Sequence, residues 1–103
     1  MIFHIAERAD WEAAHAAGDP YQVSTRGRTL AEEGFIHASR DDDQVRAVQR
    51  AFYADLDDLV LLVIDIDGLD VRDEPVGNDV FPHIYGPIPL GAVVDVRPLP
   101  RTR

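Results

Sequence analysis

No cysteine occurs anywhere in the chain. Disulfides, thiolate metal sites and a cysteine nucleophile are therefore excluded, and the absence suits a reducing compartment. Serine occurs only at Ser24 and Ser39. There is no Walker phosphate loop, no dinucleotide glycine fingerprint, no nucleophile-elbow serine and no His-Glu zinc helix. Standard hydrolase and nucleotide-triphosphatase chemistry thus lacks its usual residues. Positive charge is scarce: 10 basic residues face 19 acidic ones, a formal net charge of −9. Such a chain repels nucleic-acid phosphates and anionic membranes at long range, so neither duplex nucleic acid nor a membrane is expected as a partner. The longest apolar run, residues 59–64, is far short of the roughly 18–20 residues a membrane span needs. The N-terminus has no basic n-region or cleavage site. Together these features predict a cytoplasmic protein.

What is present is enough for one core. The 103 residues are 46% hydrophobic and 28% charged, which predicts a single domain over 1–103, with a core of about 1–99 and a short C-terminal tail. Residues 2–5 alternate as a short strand, with His4 opposite in facing to Phe3 and Ile5. Asp10 is expected to cap a helix that ends at Gly18. Residues 21–28 look irregular, and Thr29 with Glu32 has the spacing of a capping box around one helical turn. Residues 35–38 suit a strand. Ser39 is expected to cap a second long helix with Asp41, Asp42 and Asp43 in its first turn and Val45, Val48 and Phe52 on its buried stripe. Residues 59–64 read as a central strand covered on both faces. Residues 71–74 read as a short edge strand stopped by Pro75, residues 76–80 as loop, and residues 92–96 as a last strand. The fold class expected is α+β, with a small mixed or antiparallel β framework and two main helices.

Four histidines are the clearest candidates for chemistry. His15 lies on an Ala-rich helix and reads as a surface or boundary residue. His4, His37 and His83 lie on or beside strands, and three such residues in so small a domain point to one shared cleft. Imidazole donates, accepts and binds cations near neutral pH, so a cluster suits a polar ligand. Ser39 follows His37 by two and Tyr85 follows His83 by two, so strand alternation puts each pair on one side. Arg26 and Arg28 flank a glycine and form a tight basic pair that suits an anion contact. Glu74 stands at an expected strand end and is the nearby carboxylate in the sequence. The ligand-binding set expected is therefore Ser39, Tyr85, Arg26, Arg28 and Glu74 around catalytic His4, His37 and His83.

Several segments together carry a family resemblance. They are Phe3-His4-Ile5, Trp11, Glu33-Gly34-Phe35-Ile36-His37-Ala38-Ser39, the Leu-rich strand ending in Asp65, Glu74-Pro75, and Phe81-Pro82-His83-Ile84-Tyr85-Gly86-Pro87. The chain resembles the bacterial domain-of-unknown-function family 952 over residues 1 to about 99. Phe3 stands where that family usually has tyrosine, and Ala38 where cysteine is common. The resemblance implies a fold similar to ADP-ribosyltransferases and RNA 2′-phosphotransferases, in which His4 would stand for the strand-one histidine of the dinucleotide cleft. It also implies that the segment from Phe81 to Pro87 matches the one bearing the catalytic glutamate of classical transferases. Here that segment holds His83 and no carboxylate, which argues against classical ADP-ribosyl transfer.

The function expected is binding of a nucleotide or another phosphorylated small molecule, with nicotinamide dinucleotide the leading cofactor candidate. Any chemistry would be transfer or cleavage at a ribose or phosphate centre, with the imidazoles as acid, base or electrostatic groups. Two alternatives stand beside this one. One is a non-catalytic binding or regulatory module. The other, ranked lower because no local His-x-x-x-His pair exists, is a divalent cation held by the three histidines with Glu74 or water; no metal is expected.

Overall fold

The computed structural model describes residues 1–101. Thr102 and Arg103, the end of the expected tail, lie outside the described residues. The elements run β1 (Ile2–Glu7), α1 (Arg8–Ala17), β2 (Val23–Thr25), β3 (Arg28–Thr29), α2 (Leu30–Glu33), β4 (Ile36–His37), α3 (Asp42–Phe52), β5 (Leu59–Ile64), β6 (Val71–Val76), β7 (Asp79–Ile84), a 3-10 turn at Leu90–Ala92, and β8 (Val93–Leu99). Three antiparallel sheets result, ordered β1-β5-β8, β2-β3 and β4-β7-β6. This is an α+β fold with three α-helical segments, α2 being a single turn.

β5 organises the interior. All six of its residues are buried, because β1 and β8 flank it and both its faces are covered. Val60, Leu62 and Ile64 join Ile2 and Ala6 on one side, packed with Trp11, Tyr21, Ile36, Ile84 and Ile88. Leu59 and Leu61 join Ile5 on the other side, against Val45, Val48 and Tyr53 from the α3 region. Each such side chain stabilises the fold by roughly 1.5–3 kcal/mol through removal from water. The free edge of β1 is closed by a bridge in which Phe3 and Ser39 exchange backbone hydrogen bonds of 2.8 and 2.7 Å. That bridge brings His4 beside the end of β4.

Several local boundaries differ from those expected from the sequence. α1 begins at Arg8, with Glu7 at the cap position and Asp10 inside the first turn. β1 stays paired to β5 through Glu7, and the Arg8 amide bonds to the Asp58 carbonyl, so sheet register rather than a side-chain cap starts the helix. Ser39 does not cap α3. Its backbone is still extended in the bridge to Phe3, and Asp41 caps the helix by accepting from the Gln44 amide at 2.9 Å. Phe52 is exposed rather than part of the buried stripe, where Tyr53 takes its place. Pro75 does not stop β6, and residues 76–80 are not a loop. β6 and β7 form a hairpin whose paired residues Val76 and Asp79 enclose Gly77 and Asn78. Gly77 has φ +61° while Asn78 has negative φ, the pattern of a type II′ turn. β6 is an edge strand, the setting in which proline is tolerated. The last strand extends to Leu99 and includes Pro98, again on an edge. The capping box at Thr29 and Glu32 forms as its spacing predicts.

Candidate functional site

The register of the β4-β7-β6 sheet assembles the site. His37 of β4 lies directly opposite His83 of β7. His83 in turn lies opposite Arg72 of β6, which makes Glu74 its diagonal neighbour, within reach of a long side chain. The side chains use this placement. His83 Nδ1 is 2.8 Å from Glu74 Oε1, and the Tyr85 hydroxyl donates to the same oxygen at 2.5 Å. His37 Nδ1 is 3.4 Å from His83 Nε2. Phe35 stacks on the His83 ring at 4.0 Å between centroids, and the Arg72 guanidinium sits 4.2 Å over the Tyr85 ring. The hydrogen bonds from Tyr85 and His83 hold the Glu74 carboxyl below its ordinary pKa, and the same contact raises the Tyr85 phenol. Glu74 is thus a carboxylate and a pure acceptor, so His83 carries its proton on Nδ1.

A cavity of about 470 Å³ opens over this pair. Its lining comprises His37, His83, Phe35, Phe52, Thr25, Val76, Arg26, Arg28 and Glu33. His4 is not part of this lining. It lies behind, 3% exposed, beside a much smaller space of about 10 Å³ that it shares with His37, Ser24, Ser39 and Tyr53. His4 Nδ1 is 2.5 Å from the His37 carbonyl, so it carries the proton there and donates. Burial lowers the His4 pKa to about 4, and the backbone groups of His37 and Val23 offset this only in part. Burial also lowers His37 to about 4, with His83 and His4 adding to the effect. Both rings are therefore neutral at pH 7. His4 Nε2, His37 Nε2 and the Tyr21 hydroxyl are buried without a hydrogen-bond partner among the described residues.

The structure thus brings together His37, His83, Tyr85 and Glu74, with Arg26 and Arg28 at the cavity wall. Ser39 and His4 face the small inner space instead. Glu74 is absent from the cavity lining and sits behind His83, so its reach to a ligand runs through that imidazole. Arg26 is committed: its guanidinium makes a two-pronged pair with Asp55 at 2.6 and 3.0 Å and also donates to the Phe52 carbonyl. Arg28 is freer, exposed and 3.5 Å from Glu33. His15 is exposed and packs on Trp11, away from both cavities. A three-histidine cation site does not form, and no group of three or more His, Asp or Glu side chains among the described residues is arranged to hold a metal. Glu33, Phe35 and Phe52 were not singled out as site residues from the sequence. Phe35 could have been, since it precedes His37 by two and so shares its side of the strand.

A compact α+β domain with a histidine-floored, aromatic-walled cleft is the class these features define. The family described as "Protein of unknown function (DUF952)" matches residues 5–96, and the chain belongs to it. The crystal structure of protein CC0527 from Caulobacter crescentus is similar, with 31% sequence identity, a TM-score of 0.77, and coverage of 92% of this chain and 82% of that one. A double-methionine variant of the same protein matches equally well. No curated protein matches the chain. No helix among the described residues is long and apolar enough to cross a membrane.

Proposed function

We propose that the larger cavity binds a phosphorylated small molecule of nucleotide type, and that the domain is a divergent relative of the ADP-ribosyltransferases. One observation carries this reading: two imidazoles, two phenyl rings and an exposed arginine line a single space of about 470 Å³. That volume lies within the roughly 300–1,000 Å³ typical of small-molecule pockets. Phe35 and Phe52 offer apolar surface to a heterocycle. Arg28 is exposed and its 3.5 Å pair with Glu33 is loose, so its guanidinium is free to turn from that carboxylate to a phosphate. Nicotinamide dinucleotide combines heterocycle, ribose and phosphate and is the leading candidate. If the cleft is catalytic, reaction at a ribose or phosphate centre suits its imidazoles.

The test is a thermal-shift series with nicotinamide dinucleotide, adenosine monophosphate and ADP-ribose, on the wild type, Arg28→Ala and Phe52→Ala. Saturating ligand at 100 times Kd adds about 2.7 kcal/mol, which should raise the wild-type Tm by several degrees. The variants should show much smaller rises. No rise with any of the three ligands refutes the nucleotide reading, while binding without turnover marks a non-catalytic module.

A further inference from the structure

The protonation pattern of the cavity floor follows from its hydrogen bonds. Glu74, as a carboxylate, accepts from both Tyr85 and His83, so the His83 proton is on Nδ1 and a lone pair remains on Nε2. The atom facing that lone pair is His37 Nδ1, which must then be the protonated nitrogen of its own ring. The two nitrogens are 3.4 Å apart, longer than the roughly 2.7–3.2 Å of a well-formed hydrogen bond. The contact is loose enough to yield to a better partner, and both rings line the cavity. One acceptor and one donor side by side match a hydroxyl group, which can donate to the first and accept from the second. An oxygen roughly 2.8 Å from each nitrogen fits over a gap of this width.

We propose that His37 and His83 form a hydroxyl clamp, and that Glu74 is the positioning residue that sets it. The inference rests on the ligand-cleft reading and specifies which part of the ligand reaches the floor: an alcohol such as a ribose hydroxyl, with the anionic end toward Arg28. The clamp also defines a proton transfer. The ligand O–H bond breaks, the proton forms an N–H bond on His83 Nε2, and the electron pair stays on oxygen, which receives the hydrogen bond from His37 Nδ1. The resulting imidazolium retains its Nδ1 proton, which it donates in a hydrogen bond to the Glu74 carboxylate. Tyr85, held under Arg72, keeps that carboxylate in place.

Two measurements test this on the intact protein. Long-range proton–nitrogen NMR at pH 7, assigned through single histidine variants, should show His37 and His83 both protonated on Nδ1. A proton on His83 Nε2 overturns the proposal whether or not any ligand binds. Calorimetry should then compare adenosine monophosphate with its 2′,3′-dideoxy analogue. The wild type should bind the dideoxy compound about tenfold more weakly, the loss expected when a polar site is left unpaired. Glu74→Gln should shrink that ratio at least threefold while the folded-state circular dichroism is unchanged. A merely structural role for Glu74 would weaken both ligands alike and leave the ratio intact, which refutes the positioning role. Equal wild-type affinity for the two nucleotides refutes the clamp while leaving the nucleotide cleft standing. Binding of neither refutes the nucleotide reading, and the NMR result alone then decides the floor.

Discussion

Acidification should destabilise this protein at a higher pH than its carboxylates alone would dictate. His4 and His37 are buried neutral, each with a pKa lowered to about 4 from 6.5 by loss of solvation. The unfolded chain therefore binds more protons than the native one between those values, and stability rises with pH across that window. Above pH 6.5 the two groups carry no penalty. As pH falls from 6.5 to 4 the penalty accumulates, and below 4 it is complete. At 1.36 kcal/mol per unit, the His4 shift corresponds to about 3 kcal/mol, and His37 contributes a similar order. Near pH 5 the two together give a slope of about 2.4 kcal/mol per pH unit. A domain of this size has roughly 5–15 kcal/mol to lose. Urea unfolding followed by circular dichroism at pH 7.5, 6.5, 5.5 and 5.0 would measure the slope. His4→Gln, whose amide can still donate to the His37 carbonyl, should remove about half of it. A wild-type stability that stays flat from pH 6.5 to 5 would refute the assignment of both rings as buried and neutral.

Other outcomes follow from particular residues. Leu62 is fully buried at the centre of β5, so Leu62→Ala should cost about 2–5 kcal/mol in chemical denaturation, and a loss under 1 kcal/mol would contradict the packing described. Gly77 holds φ +61° in the β6-β7 turn, so Gly77→Val should destabilise by at least about 1 kcal/mol even though a Cβ there meets open space. Duplex DNA should show no salt-dependent binding by anisotropy at physiological salt, given the net charge of −9. Labelled nicotinamide dinucleotide should give little or no ADP-ribose transfer to protein acceptors. The floor offers imidazoles in place of a carboxylate, and a neutral ring brings no negative charge to an oxocarbenium ion. Robust transfer that is lost in Glu33→Gln would identify the cavity-wall carboxylate as the missing group.

Much of the candidate site was legible because strand alternation is a local rule. The two-residue spacing of Tyr85 after His83 sufficed to set that pair on one side, whereas Ser39, two after His37, faces the small inner space. Tyr85 and His83 indeed meet at a single Glu74 oxygen. What alternation does not encode is register between strands. The opposition of His37 to His83, and the diagonal place of Glu74, depend on a hairpin that the sequence hides behind two prolines. Pro75 sits on an edge strand, and Pro82 lies one residue past the two-residue pairing of β4 with β7, so neither breaks the sheet. The helix starts depart from the capping rules for a related reason. Sheet pairing of Glu7 and of Ser39 overrode the capping preferences of Asp10 and Ser39 themselves. Phe52 looked like core because it continues the apolar spacing of α3. The helix ends there, and Tyr53 reaches inward, its hydroxyl accepting from the Arg26 amide at 2.9 Å.

We propose above that the histidine-floored cavity is a nucleotide site. A crystal structure of the protein soaked with adenosine monophosphate tests it most directly. The base should lie against Phe35 and Phe52, the phosphate at Arg28, and a ribose hydroxyl within hydrogen-bond distance of both His83 Nε2 and His37 Nδ1. An empty cavity at saturating nucleotide, or a nucleotide ordered elsewhere on the surface, would contradict it.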